Sequence, residues 1–237
     1  MAKILGVRID NLRNKEILRK IEEFLGESKF HQIATVNPEF ILEAQKNQEF
    51  CAILNDCDLN VADGFGVRCA FWRNFWHLKY RMAGADLLLE ILKIAEKKGR
   101  SVFLACRKDG LTSFEEAKEN ILGKYPRIKI KGANLDLLGV RPLINRGPTP
   151  NCEVLICNFG APNQEFFIKS QKDGKIRLAI GVGGALDFLS GKMKRAPKFM
   201  RVLGLEWLWR FIQEPKYRFS RIFRAVIIFP IRVIFNK

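Results

Sequence analysis

The sequence predicts an α/β fold: a mostly parallel sheet core with a C-terminal helical appendage. Two patterns carry this. Short β-rich runs alternate with stretches of helical spacing as far as Gly191. Beyond Gly191 the β signal disappears and the pattern is helical to the end. Composition agrees, with 48% apolar and 28% charged residues, a globular mixture rather than a disordered one.

The elements follow in order. Ile4–Ile9 reads as a strand. Lys15–Leu25 has apolar residues at 17, 18, 21, 24 and 25, which is helical spacing. Gln32–Val36 is a strand and Pro38–Asn47 a helix, with Asn37 as its N-cap and Pro38 at its first position. Leu59–Ala62 is a short strand, and Asp86–Lys97 a strongly periodic helix. Ser101–Ala105, Ile128–Lys131, Glu153–Asn158 and Arg177–Val182 read as strands; Ser113–Gly123 and Gln164–Ser170 read as helices between them. Asn134–Asn151, rich in Gly, Pro and Asn, is expected to be a connection. From Phe199 on, Phe219, Ile222, Phe223, Val226 and Ile227 form one apolar stripe at helical spacing, and Pro230 should kink or end that helix.

The chain divides by charge into an α/β body over residues 1–191 and a basic appendage over residues 192–237. Twelve Lys and Arg against two Glu place ten of the sixteen net positive charges in those last 46 residues. The partner is therefore anionic: nucleic acid, a phosphorylated small molecule or a membrane surface. The stripe can pack on the core, on a neighbouring subunit or in a membrane interface. Its basic flank, Arg218, Arg221 and Arg224, favours anionic lipid.

Several classes are disfavoured. The six cysteines form no CxxC pair, and a reducing compartment is the simpler reading. His31 and His77 stand far apart without ligand-spaced partners, so no structural zinc and no metal site is expected. No GxSxG elbow accompanies them. The opening residues 1–10 are not expected to be a signal peptide, because Arg8 and Asp10 interrupt their apolar stretch. No run reaches the ~18 apolar residues of a membrane-spanning helix. A nucleic-acid-binding module would interleave its basic residues with a recognition helix or stacking platform; here they share a helix with an apolar stripe. A nucleotide-cofactor oxidoreductase would need a fuller glycine fingerprint and an acid about 20 residues beyond it. Position 186 is Leu where the third glycine belongs, and Asp187 follows too closely.

Ligands of parallel sheets sit at the carboxyl ends of strands, so the loops at Asn37, Asp63, Cys106, Gly160 and Gly183 are candidate site loops. Gly181-x-Gly183-Gly184 could let backbone N–H groups approach a phosphate, or form a tight turn. Asp56-Cys57-Asp58 matches a metal-holding D-x-D, but Asn55 and Asp56 read better as a turn or cap. Asp63-Gly64-Phe65-Gly66 ends a strand: its carboxylate could accept a hydroxyl proton or cap a helix, and spacing leaves both open. Ala161-Pro162-Asn163-Gln164-Glu165 suits a polar ligand or a helix start equally.

Taken together the motifs resemble one family. Thr35-x-Asn37, Asp63-Gly64-x-Gly66, Arg81-x-x-Gly84-x-Asp86, Gly160-x-Pro162-x-Gln164-Glu165, Gly181-x-Gly183-Gly184, Arg195-Ala196-Pro197 and Gly204-Leu205-Glu206-Trp207-x-x-Arg210 occur in the order found in the WecG/TagA/CpsF glycosyltransferases. The resemblance runs from about residue 4 to about residue 221. Asn163 replaces the family's usual Lys, and Ala105-Cys106-Arg107 replaces its glycines at the end of that strand; the Asn134–Asn151 region also diverges.

The resemblance implies a Rossmann-like core and an inverting, UDP-sugar-dependent hexosyltransferase. N-acetylmannosamine is the typical donor sugar, with its uronic acid or glucose as alternatives. The acceptor is polyprenyl-diphosphate-linked GlcNAc, in the synthesis of a cell-surface polysaccharide such as teichoic acid. Asp63 matches the proposed base. Thr35, Asn37 and Gln164, with Glu165, would orient sugar hydroxyls or the uracil end, Gly183 and Gly184 would border the donor, and Arg81 would pair with a phosphate or with Asp63. Arg210, Arg218 and Arg221 would neutralise the leaving diphosphate, because guanidinium forks match phosphate oxygens; no cofactor is then required. The implied setting is cytoplasmic and peripheral, on the inner face of the cell membrane through residues 192–237, with self-association and no nucleic acid.

Overall fold

A computed structural model describes residues 2–73, 77–136, 151–172 and 174–235. Residues 137–150 of the expected connection lie outside them. The chain opens with a hairpin, β1 (Ala2–Ile4) and β2 (Val7–Ile9), where one strand was expected. The split falls at Leu5 and Gly6, both at positive φ, which reverses the chain in two residues. Leu at such a position carries no mark in the sequence.

The core is a six-stranded sheet, wholly parallel, in the order β4-β3-β8-β7-β5-β6. Its strands are β3 (His31–Val36), β4 (Leu59–Ala62), β5 (Ser101–Arg107), β6 (Lys129–Leu135), β7 (Val154–Cys157) and β8 (Leu178–Gly181). Every residue of β3, β4, β7 and β8 is buried, as strands covered on both faces must be, including the polar His31, Gln32, Thr35 and Asn60. On one face lie α1 (Asn14–Gly26), α5 (Gly84–Lys97) and α6 (Phe114–Lys124), sharing a buried cluster with the strands through Ile21, Leu88, Ile91 and Ile121. Ser113 caps α6 in a reciprocal box with Glu116.

The expected helix Pro38–Asn47 is the shorter α2 (Pro38–Ala44), and a helix the sequence did not announce, α3 (Gln48–Asp56), follows it. Asn47 is the N-cap of α3 rather than the end of α2: its Oδ1 accepts the Phe50 N–H at 3.0 Å. With α4 (Phe65–Arg73) these helices form a second apolar cluster beside the hairpin. The short helices α7 (Asn163–Ser170) and α8 (Ala185–Leu189) follow β7 and β8.

The C-terminal segment is helical throughout its described length: α9 (Lys198–Leu203), α10 (Glu206–Gln213), α11 (Pro215–Phe223), a π-helical turn (Arg224–Ile228) and α12 (Phe229–Phe235). Pro230 does not end the helix. The wider turn before it, in which the Phe229 N–H reaches the Arg224 carbonyl, starts a new helix with Pro230 in its first turn. The segment is tied back to the body. Phe229 is buried in the same cluster as Val67, Ala70 and Phe71, and Arg221 and Arg224 pair with Glu39 and Glu43 of α2. No helix among the described residues is long and apolar enough to cross a membrane.

Candidate active site

The carboxyl ends of β3 and β4 open onto a cleft of about 400 Å³, roofed by the C-terminal helices. Its floor comes from the loops leaving those strands, Asn37 and Pro38 after β3 and Asp63 to Gly66 after β4. Its far wall carries Glu206, Trp207 and Arg210 of α10, then Arg218, Arg221 and Ile222 of α11. Ala225, Val226 and Pro230, with Phe65 and Cys69, add apolar side chains to its lining. The lining thus combines arginines, carboxylates and apolar side chains.

Asp63 is the carboxylate at the strand end. Its side chain is 23% exposed, and its Oδ2 accepts the Gly84 N–H at 3.3 Å. Arg81 Nη1 stands 3.9 Å from its Oδ1. Burial pushes the Asp63 carboxyl above the ordinary carboxylate range; Arg210 and Arg81 pull it back and Glu206 pushes it further up. A carboxylate of raised proton affinity beside two arginines is suited to taking a proton from a hydroxyl.

Arg210 lies over the Phe188 ring, 4.7 Å from its centroid, and its Nε is buried without a hydrogen-bond partner among the described residues. Burial lowers its proton affinity, while Asp63 and Glu206 restore it. Arg218 is held by Glu214 at 2.7 Å and Arg221 by Glu39 at 2.5 Å, so both guanidinium groups are oriented before any ligand arrives.

Six sequence-predicted residues thus line one cleft: Asn37, Asp63, Arg81, Arg210, Arg218 and Arg221. Asn37 also caps α2, its Oδ1 accepting the Phe40 N–H at 3.0 Å. Thr35 lies just beneath, buried against Gly84. Gln164, Glu165, Gly183 and Gly184 do not line the cleft. They form a neighbouring unit at the ends of β7 and β8, where Gln164 Oε1 accepts the N–H groups of Gly160 and Gly183 at 3.1 and 3.2 Å. Gln164 Nε2 donates to Glu165 Oε1 at 2.7 Å, and Glu165 is 1% exposed. Beside them Thr112 donates to Asp187 Oδ1 at 2.7 Å.

The remaining sequence motifs go elsewhere. Asp56 ends α3 and pairs with Lys172, while Asp58 accepts the Gln32 N–H and faces His31. His31 is buried, stacked on Phe24. All six cysteines are free thiols. Sequence reasoning missed Glu206 as a cleft residue, although Glu206 and Arg210 stand four apart and so share a helix face.

Residues 2–237 match the model of the glycosyl transferase WecG/TagA/CpsF family. Among curated proteins, the chain is 33% identical over 192 residues to the N-acetylglucosaminyldiphosphoundecaprenol N-acetyl-beta-D-mannosaminyltransferase of Bacillus subtilis (strain 168), covering 80% of this chain and 74% of that one. The protein of the same name from Bacillus spizizenii is 31% identical over 194 residues, covering 81% and 75%. That from Staphylococcus aureus (strain MW2) is 29% identical over 235 residues, covering 97% and 91%.

Proposed function

Because this chain belongs to the WecG/TagA/CpsF family of glycosyl transferases, we propose that it moves N-acetylmannosamine from a UDP-sugar to the GlcNAc of a polyprenyl-diphosphate-linked acceptor. The observation that carries the reading is the composite cleft, which one raised carboxylate, Asp63, shares with Arg81, Arg210, Arg218 and Arg221 and with apolar side chains of the C-terminal helices. The names of the relatives supply the sugar and the lipid-linked acceptor.

In this reading Asp63 takes the proton of the acceptor hydroxyl. The freed oxygen attacks the anomeric carbon from the face opposite the diphosphate, so a single displacement inverts that carbon. Arg210 and Arg218, with Arg221, take up the charge that develops on the leaving diphosphate. Asn37 orients the sugar. Thr35 backs Gly84, whose N–H holds Asp63. Gln164, with Glu165 behind it, ties the loops beneath Gly183 and Gly184 at the donor's other border.

The setting proposed is peripheral, on the inner face of the cell membrane. Phe219, Phe223, Val226 and Ile227 are exposed on the C-terminal helices, with Arg218, Arg221 and Arg224 beside them. That combination suits an anionic lipid surface. Self-association is expected as well, and light scattering would measure it.

The test is UDP release across a panel of UDP-sugars with a short-chain prenyl-diphosphate-GlcNAc. We expect release with UDP-N-acetylmannosamine. The Asp63→Asn chain should keep its fold and donor binding and lose roughly 10²–10⁴-fold in turnover. Release with the uronic acid or glucose donor instead would reassign the sugar. Wild-type turnover in Asp63→Asn would remove it as the base.

A further inference from the structure

Besides Asp63 the cleft is lined by two carboxylates, Glu39, which is paired with Arg221, and Glu206, which has no role in the displacement as drawn. Glu206 is the first residue of α10 and is 8% exposed. The turn before it is fixed: Gly204 takes φ +77° and lies so near Phe65 that an added Cβ would sit 2.7 Å from the ring. Glu206 is thereby delivered beside Arg81, with Oε2 3.8 Å from Arg81 Nη1. The same Nη1 stands 3.9 Å from Asp63 Oδ1. Both separations exceed a hydrogen bond, so the guanidinium is committed to neither acid. Arg81 is steadied instead by its Nη2, which donates to the Arg201 carbonyl at 3.0 Å. Glu206 Oε1 is 3.9 Å from Arg195 Nε, and Arg195 is tied to Asp86 at 2.7 Å. Glu206 Oε1 is buried and has no hydrogen-bond partner among the described residues.

We infer that Glu206 is a positioning residue for the transfer: it shares Arg81 with Asp63 and keeps that guanidinium neutralised once Asp63 has taken the acceptor's proton. The inference rests on reading Asp63 as the base. An arginine committed to Asp63 alone would stabilise the carboxylate and make it a poorer base. Once Asp63 is protonated, the same arginine would be left as an uncompensated, largely buried charge. A second carboxylate on the same guanidinium relieves both. The step balances without Glu206 exchanging a proton. The hydroxyl proton goes to Asp63, the oxygen's electron pair makes the new bond at the anomeric carbon, and the pair of the broken bond leaves on the diphosphate.

The charged groups around Asp63 come from each element packed on the cleft. Arg81 precedes α5, and Glu206 and Arg210 stand on α10. Further out, Glu39 of α2 is paired with Arg221, and Arg218 with Glu214. Glu206 is the group in this set that acts on Asp63 to raise its proton affinity by charge.

The test follows the Asp63 carboxyl carbon by NMR across pH in the full chain labelled at aspartate, with Asp63→Asn assigning the signal. No substrate is involved. Glu206→Gln should lower the Asp63 midpoint by about one unit, a tenfold loss of proton affinity. Glu206→Asp, which keeps the charge, should stay near wild type. An unmoved midpoint in Glu206→Gln, or an equal fall in Glu206→Asp, overturns the inference. Glu206→Ala is the second neutral variant if the amide does not fold; if neither folds, Glu206 is structural and the inference fails. A null titration leaves the transferase reading intact, whereas absence of transfer by the wild-type chain strikes that reading and not this midpoint.

Discussion

Glu165 shows how a single residue's surroundings can reverse the role its motif suggests. It follows Gln164 in sequence, accepts a hydrogen bond from that residue's side-chain amide, and is buried rather than presented to a ligand. Burial pushes its carboxyl from the ordinary 4.5 up to about 8, the Gln164 amide pulling it partly back. The folded chain therefore holds a proton that the unfolded chain has released above about 4.5. Stability from this residue is greatest below that value and is lost as pH rises towards about 8, by up to ~1.4 kcal/mol per unit. Glu165→Gln removes the titration. We expect the variant's unfolding free energy, relative to wild type, to climb from about pH 5 to about pH 8 in denaturant titrations. Parallel curves would show that the carboxyl is not held neutral.

At the scale of elements, most of the sheet and its helices could be read in advance, because caps and periodicity mark them locally. Asn37 before Pro38 caps as its spacing suggests, whereas Ser113, read as the first helical residue, is the N-cap of its helix. The misreadings have local causes. Asn47 stops one helix pattern and starts another, which composition cannot separate, and the β1–β2 turn uses a Leu at φ 46°. Within the site, residues at strand ends were legible since parallel strands put every carboxyl end on one side of the sheet. Glu206 was not, because its partners Arg81 and Asp63 are more than 100 positions away. The apolar stripe of the last helices was legible, but its anchor was not: Phe229, outside the stripe, is what enters the core. Phe229→Ala should cost about 3–5 kcal/mol of the docking of α12. Limited proteolysis should then cut first within residues 215–235 while the sheet survives. Unchanged resistance would mean that the ion pairs of Arg221 and Arg224 with α2 suffice.

Across the whole molecule, the uneven charge finds its explanation. Ten of sixteen net charges lie in the last 46 residues, and three of those arginines line the cleft whose floor is the sheet. Body and appendage thus line one cleft, and we propose that they are halves of one site: the sheet carries the Asp63 carboxylate, and the C-terminal helices carry Arg210, Arg218 and Arg221. The most direct test is the initial rate of N-acetylmannosamine transfer to prenyl-diphosphate-GlcNAc at saturating donor, comparing wild type with Arg210→Ala/Arg218→Ala. We expect the double variant to fold, to keep its docked C-terminal helices, and to lose at least ~10²-fold in rate, the cost of removing preorganised charge at a leaving group. A rate within threefold of wild type would contradict the composite site (a threefold change being under ~0.7 kcal/mol of barrier).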